Sequence, residues 1–253
     1  MPLHFPKVDD VRLRRSPLRE VICQVRFPPV LVVARQMPVD LQERLRKEYP
    51  NLSVERPVQI VADNPLAEAP FDARPPIFRF RSRDEKSMVS LSADFYAVST
   101  EAYTHWAAFA EELHRATRAV RETYDIPYAT RIGLRYVNII SGECTGNATQ
   151  GIYDLLRPEL TALLQTEAFH LPLLALTQVK VSEGDDQLTF RYGLGECEGL
   201  SQPSFVLDFD LYAQGELGFE DLLERCDRYH NTIYRAFRWC LSDAGFAAFE
   251  PLH

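Results

Sequence analysis

The sequence predicts an α+β fold, an antiparallel sheet with helices on one face, laid down as two repeats of strand, helix, three strands and a long helix. Three observations predict it. The runs 18–27 and 77–83 alternate apolar and polar residues with the period of two that marks a half-buried strand. The longer runs 101–124 and 219–241 carry apolar residues at three- and four-residue spacing, as amphipathic helices do. A short phrase also recurs: Val25-Arg26-Phe27 early in the chain and Leu134-Arg135-Tyr136 past its middle, with similar elements following each.

Taken in order, residues 1–17 are mixed and proline-punctuated and read as an N-terminal arm. In 18–27, Val21, Cys23, Val25 and Phe27 share one parity and Glu20, Gln24 and Arg26 the other; Pro28-Pro29 ends the strand. Residues 38–49 predict a short helix with Pro38 in its first turn and Leu41 and Leu45 on one face. A strand over 54–62 and a proline-rich loop over 63–76 follow. Residues 77–83 place Phe78 and Phe80 opposite Arg79, Arg81 and Arg83, Asp84-Glu85-Lys86 forms a hairpin turn, and 87–98 is the return strand. Trp106, Phe109, Leu113, Ala116 and Val120 stripe the first long helix.

The second half repeats the plan: a strand over 129–140, a polar loop to 151, a helix over 152–166, and strands over 173–182, 187–194 and 204–212. The closing helix runs over 219–241, with Leu222, Cys226, Tyr229, Ile233 and Phe237 on its buried side. The domain division is therefore an arm (1–17), a first repeat (18–128) and a second repeat (129–253), the repeats forming one compact unit. The TATA-binding-protein-like and helix-grip-like folds are topological analogies, which carry no function with them.

The chain of 253 residues is 46% hydrophobic and 25% charged, ordinary globular values that suffice for a proper core. A net charge of −8 argues against indiscriminate coating of nucleic acid, while leaving room for a local basic patch. Five cysteines without C-x-x-C spacing predict neither a disulfide framework nor a zinc ribbon; Cys23 and Cys226 read as core thiols, and Cys144 as a stray thiol in a polar loop. The N-terminus lacks a basic region followed by an apolar run, and no apolar stretch approaches membrane-spanning length. A cytoplasmic protein with no membrane association is expected. No phosphate-loop, dinucleotide-fingerprint or serine-elbow motif occurs, and no cofactor is expected.

If helices cover one face, the polar parity must occupy the other. That parity holds Glu20, Gln24, Arg26, Arg79, Arg81, Arg83, Arg131, Arg135, Arg191, Asp208 and Asp210, seven arginines on an acidic chain. Guanidinium forks match the paired oxygens of phosphates and carboxylates. Arg131 and Arg135 flank Gly133, whose missing side chain leaves room for a ligand or a neighbouring backbone. The plainer reading of the same residues is a ladder of Arg–Asp pairs on a solvated face. Asp208 and Asp210 on one strand also offer a weak metal-binding alternative. Asp227, His230, Asn231, Tyr234 and Arg238 share one side of the last helix and read as a solvated or interface-facing stripe.

Two segments carry a resemblance. The stretch from Pro17 through Val21-Ile22-Cys23-Gln24-Val25-Arg26-Phe27, and Arg131-Ile132-Gly133-Leu134-Arg135-Tyr136-Val137-Asn138, resemble the opening strand and central signature of a sporadically distributed, uncharacterised family of bacterial proteins of about this length. The resemblance spans nearly the whole chain and supplies no catalytic residues. The sporadic distribution implies an antitoxin-like or defence-associated role. The leading expectation is a non-enzymatic binding protein that engages a protein partner, forms a homodimer, or takes a nucleotide or other anionic ligand. It would use Arg26, Arg131, Arg135, Glu20 and Gln24. A metal-dependent phosphohydrolase using Asp208 and Asp210 is the enzymatic alternative. Single-stranded nucleic-acid binding, with Tyr136 or Phe95 stacking, ranks below both.

Overall fold

A computed structural model describes residues 4–56, 75–141, 151–169, 174–195 and 204–252. One nine-stranded antiparallel sheet runs through both halves of the chain, in the order β2-β3-β4-β5-β1-β6-β9-β8-β7. The strands are β1 (Leu18–Arg26), β2 (Asn51–Glu55), β3 (Ile77–Arg81), β4 (Ser87–Ser92), β5 (Phe95–Thr100), β6 (Ala129–Ile140), β7 (Ala175–Glu183), β8 (Asp186–Gly195) and β9 (Ser204–Leu217). The β1–β6 ladder at the centre joins the two halves, so their cores are continuous. Outward from it, β5, β4 and β3 lie on one side and β9, β8 and β7 on the other; β2 extends only the first half.

Two long helices, α3 (Trp106–Tyr124) and α5 (Leu222–Cys240), cover the same face of the central strands. The alternation explains why. Val21, Cys23 and Val25 on β1, Tyr96 and Val98 on β5, and Ile132 and Leu134 on β6 all turn to that face and are buried. Each fully buried side chain of this size contributes about 1.5–3 kcal/mol. The few polar atoms caught there are paired. The Tyr96 hydroxyl lies 2.8 Å from Thr117 Oγ1 on α3, and the Cys23 and Cys226 thiols lie 3.8 Å apart between β1 and α5. The contact with this neighbouring thiol, and then burial, hold the Cys23 thiol well above its ordinary pKa. Both cysteines are core thiols, as their apolar positions predict. Cys144 lies outside the described residues.

Several local expectations need correction. The single return strand over 87–98 is two strands, because the chain turns at Ala93-Asp94; the first half thus holds five strands instead of four. The helix over 38–49 is shorter, α2 (Val39–Leu45), and is preceded by a short α1 (Leu31–Arg35). The strand over 54–62 begins earlier, at Asn51, and residues 57–62 lie outside the described set. The helix over 152–166 is a series of short turns: a 3-10 turn at Ile152–Leu155, α4 (Pro158–Thr161) and further 3-10 turns to Phe169. The long helix over 101–124 starts only at Trp106.

The arm is part of the structure. Leu13 bridges Pro251, Arg14 N donates to Glu250 O (3.0 Å), and Leu252 N donates to Arg12 O (2.8 Å). These contacts tie the arm to the chain just beyond a last helix, α6 (Asp243–Ala248), which has a side-chain cap from Ser242. No helix among the described residues is long and apolar enough to cross a membrane.

Candidate functional site

The polar parity of β1, β6, β9, β8 and β7 forms the face opposite α3 and α5. Antiparallel register decides who meets whom. Arg26 lies opposite Arg131 and Gln24 opposite Gly133; on the next ladder Gly133 lies opposite Tyr212 and Arg135 opposite Asp210. The ion pairs nevertheless run diagonally. Arg135 grips Asp208 with two bonds (2.7 and 2.9 Å), and Arg131 grips Asp210 with two (2.8 and 2.9 Å). Both arginines lean in the same direction along the sheet.

Gly133 makes the second grip possible. The guanidinium of Arg131 lies over it, and a Cβ added at Gly133 would meet Arg131 Nη1 at 2.4 Å. The same guanidinium rests on the Tyr212 ring, 4.4 Å from its centroid, before reaching Asp210. The room beside Gly133 is therefore filled by the protein's own arginine, not by a neighbouring backbone.

Asp208 is nearly buried, with 5% of its side chain exposed, and serves two cations: Arg135 and, directly opposite on β8, Arg191 at 3.1 Å. Arg191 Nε in turn donates to Gln178 on β7 (2.9 Å). Arg131, Arg135, Arg191, Asp208 and Asp210 thus form a linked ladder in which three arginines share two carboxylates. Glu20 stands near Arg135 at the other end of β1. Burial and the neighbouring Glu101 raise its pKa, against the pull of Arg135 and a bond from Ser99.

Two cations are left outside the ladder. Arg26 is exposed and donates only to Gln24 Oε1, at 3.4 Å. Lys180 on β7 stands 5.7 Å from the Tyr212 ring centroid. Neither pairs with a carboxylate among the described residues. They lie on opposite sides of an open depression of about 440 Å³, whose wall includes Gln24, Arg131, Arg191 and Asp210. Of the five expected binding residues, Gln24, Arg26 and Arg131 therefore line the depression, while Arg135 and Glu20 stand apart from it. Lys180 was missed although Gln178, Lys180 and Ser182 alternate with Val179 and Val181, a signal that could have placed it on the polar parity. Asp208 and Asp210 are each committed to arginines, and no cluster of three or more potential metal ligands occurs among the described residues.

The covered face holds a second polar group. His230 lies in α5 with only 6% of its side chain exposed. Its Nδ1 is 2.8 Å from the Tyr136 hydroxyl and its Nε2 is 3.2 Å from Asp10 on the arm. Trp106 stacks on the imidazole, rings 4° from parallel and 4.8 Å apart, and donates its indole N–H to Asp227 (2.9 Å). Tyr234 also binds the arm, accepting from Val11 N at 2.9 Å. The expectation of a solvated or interface-facing stripe holds for Asp227 and Asn231, which are exposed, but not for His230 and Tyr234, because the arm and residues 103–106 fold across them. Tyr136 is buried in the same cluster, away from the open face. No family model matches the chain, and no curated protein matches it.

Proposed function

We propose that the protein is a non-enzymatic binding protein whose open sheet face engages an anionic group, a phosphate or a carboxylate, carried by a small ligand or an acidic stretch of a partner protein. The observation that carries this reading is the pair of uncompensated cations, Arg26 and Lys180, facing each other across a depression. Arg131 and Arg191 add donors there, while their charges are largely answered by Asp210 and Asp208. The ladder acts as a floor: it fixes the arginines in place and leaves them one positive charge in excess of the two aspartates. The shallow, polar shape suits a ligand held by ion pairs and amide contacts from Gln24 and Gln178 more than one held by apolar burial.

The enzymatic alternative gains no support, since Asp208 and Asp210 are each held by arginine and no group of three or more potential metal ligands occurs among the described residues. Stacking of nucleic-acid bases on Tyr136 gains none either, because that ring is enclosed.

Titration calorimetry with inorganic pyrophosphate and with a glutamate-rich peptide tests the reading. One or both should bind at low salt, and an Arg26→Ala, Lys180→Ala double variant should bind at least tenfold more weakly, about 1.4 kcal/mol, with an unchanged melting temperature. Equal binding by the double variant, or no binding of either probe, overturns it.

A further inference from the structure

The cavity on the covered side is separate from the sheet-face depression. It measures about 510 Å³, within the roughly 300–1,000 Å³ of sites that take small molecules. The arm forms one wall, residues 103–107 another, and α5 the third. Tyr103, Trp106, Tyr234 and Phe237 supply aromatic surface, while Tyr136 and His230 supply the polar end.

The hydrogen bonds at that end are unevenly shared. In the tautomer that gives Nε2–H to Asp10, His230 Nδ1 accepts from the Tyr136 hydroxyl. The Tyr136 proton is then committed. The Tyr103 hydroxyl lies 3.5 Å from that of Tyr136, beyond the usual O–H···O range of about 2.5–3.0 Å. Its proton is free for a tighter acceptor. Burial pushes the Tyr103 phenol up to about 12, so it is a neutral donor across the ordinary pH range. The charged side chains on the arm side are Asp10, held by His230, and Arg12, which is exposed and screened by water, so the enclosed part of the cavity presents no arginine or lysine to an anion.

We propose that this cavity is a binding site for a small neutral molecule with an aromatic body and a carbonyl oxygen. The body lies among the aromatic walls, and the carbonyl accepts from Tyr103. His230 is a positioning residue, holding Tyr136 and, through Asp10, the arm that closes the cavity. The site is independent of the anion-binding reading, since it lies on the other face of the sheet and uses none of the same residues.

Saturation-transfer NMR with acetophenone and benzamide as probes, and benzoate as the charged comparison, tests this. Either neutral probe should bind in the millimolar range and shift the indole N–H signal of Trp106 while leaving that of Trp239 in place. Tyr103→Phe keeps the ring and should weaken binding about fivefold to tenfold, the worth of one hydrogen bond, with an unchanged melting temperature. Absence of saturation transfer from both neutral probes, equal affinity in Tyr103→Phe, an unmoved Trp106 signal, or benzoate binding as tightly as acetophenone would each overturn the proposal.

Discussion

On the open face of the sheet, Arg135 and Arg191 share Asp208 at the margin of solvent; on the covered face, His230 meets Asp10 and Tyr136 behind Trp106. Both are networks of polar groups drawn from distant parts of the chain, and both are fully paired. They differ in what happens when a member is lost. About two-fifths of the Arg135 side chain and a third of the Arg191 side chain are exposed, so water can take over from a missing carboxylate. Tyr136 and His230 are almost wholly buried and meet water only through the cavity they border. A network at the margin can be rearranged or recruited by a ligand, whereas an enclosed one fixes the structure around it.

The largest expected effect is on the enclosed side. His230→Ala should cost about 3 kcal/mol in urea denaturation, because it opens a cavity, removes the Trp106 stack and strands the Tyr136 hydroxyl. Asp208→Ala should cost less, about 2 kcal/mol, although it orphans two arginines where His230→Ala orphans one phenol. If Asp208→Ala proves the costlier of the two, the open face is as rigid as the core and the contrast fails.

Gly133→Ala sharpens the comparison within the open face. The new methyl must displace Arg131 from Tyr212 and Asp210, at about 1 kcal/mol. In an Arg131→Ala background the same change should cost almost nothing, which a double-mutant cycle measures directly.

The smallest effect belongs to Glu20. Its folded-state pKa lies above the ordinary value, chiefly through burial and then through Glu101, so folding favours its protonated form. Stability contributed by that proton is fully present below the unfolded pKa and is lost as pH rises through the folded one. Glu20→Gln should therefore flatten the decline in stability from the ordinary carboxylate range toward neutrality. Melting temperatures taken across that window check it; an unaltered slope means the carboxyl is better solvated than its surroundings indicate.

Much of the fold was legible because β1 and β3 alternate, apart from Leu18, Ile22 and Ile77, and α3 and α5 carry long apolar stripes, and these patterns follow from where side chains point in strands and helices. The α+β class, the covered and open faces, and most residues on the open face, though not Lys180, came from that periodicity. The split of β4 from β5 was not legible, since a two-residue turn at Ala93-Asp94 leaves the pattern nearly continuous. Nor was the breakup of residues 152–166 into short turns, where apolar residues at helical spacing pack as separate pieces.

Sequence by itself determined that arginines and aspartates share a face, because parity is a local property of each strand. It also carried the signal at Gly133, a glycine between two arginines, though not what fills the space. Only the tertiary structure decided the pairings, since register and diagonal reach set them: Asp208 answers both Arg135 and Arg191, Arg131 crosses Gly133 to Asp210, and Arg26 and Lys180 are left over. The arm's path was likewise beyond any local pattern. Asp10 reaches His230 across 220 positions of chain, and it is that long-range contact, more than anything in the helix itself, that draws His230 out of a polar stripe and into an enclosed site.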